Sequence, residues 1–204
     1  VTPKPGRARI TGEHFTHRYL WSVAQTLGSQ ASAAEEGQGV LRLAEMLFTY
    51  LAFEAYLNYL GARLCPQEWA NEREFFGSGQ FHGTVGKAEY LAHQLSVDLA
   101  PGKRPLQTVV ELDRRRDKLV HGRTESLDRE VTFKDPAELS SVEPEIHTLA
   151  DEKFLGRALE DVEVCCDALH AAAIAKVGLR ALLAQRAFVG MIAHQGGTIL
   201  EMPS

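Results

Sequence analysis

The run from Val40 to Leu64 is apolar on nearly every side of a helical wheel, and that limits what this chain can become. An amphipathic helix can lie on a surface, but one apolar all round has to be enclosed by other elements. It is therefore expected at the centre of a helical bundle. Glu54, Asn58 and Arg63 interrupt its second half, and no second spanning segment accompanies it. A buried core helix, with no membrane partner, is the expectation. Cys65-Pro66 closes it, because proline disfavours helix in the residue before it.

Other helices should surround this one. A first helix is expected from about Glu13 to Leu27, then a mobile connection over Gly28–Gly39, rich in Gly, Ser and Ala. One short helix is expected within Gln67–Phe76, and another over Val85–Leu95. Leu106–His121 reads as a fifth helix, and Glu152–Phe188 as a long final one. Arg129–Lys134 alternates as a short strand or hairpin arm does. The fold class expected is all-α, a bundle of four to five main helices in one domain over residues 1–204. Its core would span about 40–187, with tails at 1–10 and 196–204.

With 204 residues, 45% of them hydrophobic, the chain can bury a sizeable core. A net charge of −5 argues against a surface that attracts nucleic acid everywhere. It leaves room for a local basic patch formed by Arg114, Arg115, Arg116, Lys118 and Arg123. The three cysteines, two of them adjacent (Cys165 and Cys166), do not form a disulfide framework. The opening residues lack an apolar signal-type run. Together these features point to the cytoplasm.

The stretch Glu111–Gly122 carries the chemistry. On a helix of roughly 100° per residue, Val109, Leu112, Leu119 and Val120 share one side, with Arg116 among them. Arg115 falls at the edge of that side and Arg114 nearly opposite. A guanidinium keeps its proton, so an inward one needs a carboxylate or a bound anion. Arg116 is thus half of a structural ion pair or a reader of phosphate.

Arg116-Asp-Lys-Leu-Val-His121 resembles the Arg-x4–6-His signature of HEPN domains, and Gly122 is frequent at that place too. Phe53–Asn58 is similar to the second-helix pattern of several HEPN subfamilies. The resemblance covers about 40–187 and implies a HEPN-like bundle that often dimerises. It also implies an endoribonuclease that works without a metal or other cofactor, commonly as a toxin or defence effector. Products with a 2′,3′-cyclic phosphate and a 5′-hydroxyl would follow.

Such cleavage needs a base at the 2′-hydroxyl, an acid at the departing 5′-oxygen, and a cation beside the crowded phosphate. Histidine suits the proton transfers and arginine the charge. One His121 per chain is too few for both transfers, whereas a two-fold homodimer would supply two. Asp117, four residues before His121, could orient its ring or form an ordinary helix pair. Lys118, Arg115 and Arg123 could hold flanking phosphates of the RNA, or simply be surface charges. Glu54 is the expected partner of Arg116, and Asn58, four residues on, faces something polar as well.

His121 before Gly122 equally suits a cation closing a helix. His14 and His17 are too few for a metal site. A rival reading is a catalytically silent helical binding or assembly module. A third is a toxin-like subunit restrained by an antitoxin, for instance of nucleotidyltransferase type.

Overall fold

The computed structural model describes residues 7–122, 132, 134 and 145–201. They are mostly helical, and α2 (Gln38–Leu64) is the helix that the others surround. It packs against α1 (Thr16–Ala33), α3 (Pro66–Ala70), α5 (Gly83–Leu95), α6 (Leu106–Val120) and α8 (Glu152–Val177). Met46, Tyr50, Phe53, Tyr56, Leu57 and Leu60 of α2 are buried. The central position expected from its all-round apolar surface is the one observed.

Residues Phe154, Leu155, Ala158, Val162, Cys165, Cys166 and Leu169 repeat at helical spacing along α8 and are buried. Asp151 starts that helix by accepting a hydrogen bond from the Phe154 N–H at 2.8 Å. Cys165 and Cys166 are free and enclosed. Burial pushes the Cys165 thiol up to about 12, so it stays protonated and inert. Arg104, just before α6, forks onto the buried Asp161 of α8 at 2.7 and 2.8 Å. This clamp helps fix α6 against α8.

Several boundaries differ from expectation. The final helix stops at Val177, because Gly178 takes a positive φ of 85°. A single turn, α9 (Leu179–Leu182), follows. Phe188 then returns to the core and stacks on Trp21 at 4.2 Å. Between α2 and α5 two short helices stand where one was expected, α3 and α4 (Glu72–Phe75). Gly61 permits this arrangement, since a Cβ there would lie 2.0 Å from the Trp69 ring. A further short helix, α7 (Glu145–Thr148), precedes α8.

The tails are not loose ends. β1 (Arg7–His14) pairs antiparallel with β2 (Ala193–Glu201), and the Phe15 N–H donates to the Ile192 carbonyl at 2.7 Å. This ribbon displaces the first helix to begin at Thr16 and not at Glu13. α1 also continues through Gly28 to Ala33, which shortens the expected connection. Of the strand expected at Arg129–Lys134, Thr132 and Lys134 are described and neither is in a strand; the rest lies outside the described residues.

Candidate functional site

The expected wheel of α6 holds for its first turns and frays at its end. Val109 and Leu112 are buried, Leu119 is half-buried, and Val120 is exposed. Arg114 points to solvent. Arg116 lies between, its side chain 22% exposed, on the side facing α2 and α5.

Arg116 is held in two distinct ways. On its inner side, Nη2 donates to the Tyr50 hydroxyl, and Cζ sits 4.1 Å from the centre of the Tyr50 ring. On its outer side, Nη1 is 2.6 Å from Asp117 Oδ1, and Nη2 is 3.1 Å from Asp113 Oδ1. Those carboxylates belong to its own helix, and Asp117 is 53% exposed. Nε is buried and has no hydrogen-bond partner among the described residues. Burial tends to lower the Arg116 pKa, but the Tyr50 hydrogen bond and the two aspartates outweigh it and leave it raised.

Glu54 is not the carboxylate that meets Arg116. The Tyr50 hydroxyl donates to Thr84 Oγ1 at 2.7 Å, and the Thr84 hydroxyl donates to Glu54 Oε1 at 3.2 Å. The guanidinium therefore reaches Glu54 through two hydroxyls aligned in one direction, an arrangement in which each bond polarises the next. Burial pushes the Tyr50 phenol well above its ordinary pKa, so it stays neutral behind the cation. Glu54 also lies 4.0 Å from Lys87 Nζ. Lys87 donates to Asn58 Oδ1 at 2.9 Å and is paired with Glu72, while Asn58 accepts from the Trp69 indole at 3.2 Å. Asn58 faces polar groups, as its spacing from Glu54 suggested. Tyr50 lies four residues before Glu54, so the same spacing could have exposed its role. Thr84 had no comparable signal, because α5 reaches the site only in three dimensions.

His121 is exposed, immediately beyond the last turn, and its backbone N–H donates to the Asp117 carbonyl at 2.9 Å. Its ring has no partner among the described residues. The Asp117 carboxylate is engaged by Arg116, with no side-chain bond to His121. His121 follows Arg116 by five positions, which on a continued helix would set the two about 140° apart.

Arg115 is occupied elsewhere. It pairs with Glu111 at 2.6 Å and Asp151 at 3.0 Å, donates to the Leu149 carbonyl at 2.7 Å, and lies 3.7 Å over the Phe154 ring. It ties α6 to the start of α8. Lys118 is exposed, and with Arg114 it lines a shallow cavity of about 240 Å³ beside α6. Arg123 lies outside the described residues. His14 is exposed in β1 while His17 is buried among Tyr56 and Tyr59.

Comparisons with family models, with curated proteins and with solved structures find no match for this chain.

Proposed function

We propose that this chain is a metal-independent endoribonuclease of HEPN type, acting as a homodimer. The observation that supports it most is the two-sided setting of Arg116. A neutral phenol grips the guanidinium from within, and only aspartates reached by solvent hold it from without. Such exposed pairs contribute about 0–1 kcal/mol each, so a phosphate can take their place without unfolding anything. The pre-oriented fork then meets the charge that develops at the scissile phosphate.

In this reading the RNA 2′-hydroxyl attacks the adjacent phosphorus and gives its proton to one His121. The bond to the 5′-oxygen breaks, and that oxygen takes a proton from the other His121, leaving a 2′,3′-cyclic phosphate and a 5′-hydroxyl. Two copies are required, because one chain has a single ring at the end of α6, turned away from its own Arg116. Asp117 guards Arg116 until substrate arrives, in place of orienting His121. Lys118 and Arg123 remain as phosphate contacts, whereas Arg115 serves the fold. A toxin-like role with a restraining partner belongs to the same proposal.

One observation favours the rival, a helical binding or assembly module: Arg116 already has carboxylates of its own chain. Cleavage of single-stranded RNA, with the product ends analysed, separates the two. The nuclease reading expects His121→Ala and Arg116→Ala each to lose about 100-fold or more in rate with helical content unchanged. Wild-type protein that leaves RNA intact, or variants that cut at the wild-type rate, would overturn it.

A further inference from the structure

Away from α6, a cleft of about 560 Å³ opens between α1, α2 and α8. That volume suits a small molecule. Glu45 lines it, and the residue is only 5% exposed. Its carboxylate makes no hydrogen bond or close salt bridge among the described residues, and its oxygens open toward the cleft, with Arg42 acting on it only as a nearby charge. Room for it is made by Gly28, where a Cβ would lie 2.6 Å from Glu45 Oε1. The glycine that reads in sequence as part of a linker is thus a close approach within α1.

The surroundings select the kind of ligand. Ser29 and Ser32 also line the cleft, and their hydroxyl hydrogens are spent on the Gln25 and Gly28 carbonyls, both at 3.0 Å. What these groups offer a ligand is oxygen that accepts. Arg42, at the rim, is engaged by Glu152 at 2.7 Å. Leu155 and Leu159 form an apolar wall. The visitor that fits is rich in N–H donors, positively charged, and partly hydrocarbon.

We propose that this cleft binds a small organic amine, its ammonium group on the Glu45 carboxylate and its carbon body against Leu155 and Leu159. Three N–H donors can serve the carboxylate and the two serine oxygens together. Burial raises the Glu45 pKa against the pull of Arg42, whose guanidinium is tied to Glu152, and an arriving ammonium adds counter-charge directly at the carboxylate. The site is separate from the α6 constellation and stands whether or not the chain cuts RNA.

The test is titration of the isotope-labelled full chain with n-butylammonium chloride, followed by amide NMR, with n-butanol as the uncharged control. Saturable shifts at Gly28, Ser29, Ser32 and Glu45 are expected, with n-butanol at least about tenfold weaker. Glu45→Gln should weaken n-butylammonium by about tenfold or more. Ser32→Phe, made at an exposed position of α1, should block entry with the carboxylate intact. No saturable shift, equal binding of n-butanol, or undiminished binding to either folded variant would overturn the proposal. Should Glu45→Gln fail to fold, Ser32→Phe decides alone.

Discussion

Arg18, in the first turn of α1, and Arg116, near the end of α6, each place a guanidinium over an aromatic ring. Arg18 lies 4.4 Å from the centre of Phe15, and Arg116 lies 4.1 Å from that of Tyr50. Their settings otherwise diverge. Arg18 is 2% exposed and, among the described residues, meets no carboxylate and donates only to the Met191 carbonyl, at 2.7 Å, leaving Nε and Nη2 unpaired there. Burial draws its pKa down, while the ordinary acidity of Arg116 is weakened by its partners. Arg18 pins the segment before β2 to α1 and is closed to any ligand. Arg116 has partners that solvent can replace. Access and exchangeability, more than charge, separate a structural arginine from one able to take a phosphate.

The sharpest probe of this contrast is acidity. Burial, and then the neighbouring Arg18, hold His17 down at about 3, below the 6.5 of an ordinary histidine. Between those values the unfolded chain binds the extra proton, so the contribution is whole above pH 6.5 and is lost as pH falls toward 3. Roughly 3 kcal/mol should be gone by pH 4.5, read from urea unfolding. His17→Phe should flatten that slope, leaving a smaller share from His170, which burial also lowers. An unchanged slope would mean the Arg18 region is wetter than described.

Next in size is truncation. Arg18→Ala should cost about 2–3 kcal/mol through lost packing, whereas Arg18→Met, keeping the bulk and dropping the charge, should be nearly neutral or stabilising. Equal losses in the two would show that the charge itself is needed, breaking the contrast. Arg116→Ala should cost about 1 kcal/mol in the same measurement. The smallest effect is expected for Asp117→Asn, about 0.5 kcal/mol or less in stability. It should nonetheless tighten single-stranded RNA binding in a fluorescence titration, and weaker binding would remove Asp117 as a guard on Arg116.

The legible parts of the fold were those with local signals. α2, α5 and α6 lie close to where periodicity and proline placed them, since 3.6-residue spacing and breakers act within one element. The ribbon was illegible because Arg7–His14 finds its partner at the far end of the chain. Gly28 misled for a related reason, as its neighbour Glu45 belongs to another helix. In the site, the Arg116 and His121 pattern was visible, but not its partners. Asp113, three residues before Arg116, could have been read from helical spacing; Thr84 could not.

The amino-acid order alone determined that a helix apolar on all sides would be central and that a cation would stand on an inward-turning stripe near a histidine. Both follow from periodicity, a property of single helices. Only the tertiary structure decided which groups meet that cation. It set Tyr50 behind Arg116, sent Arg115 to α8, left the His121 ring in solvent, and enclosed the Glu45 carboxylate opposite Gly28. Hydrogen bonds and burial act between side chains brought together by helix packing, and no local pattern along the chain encodes that neighbourhood.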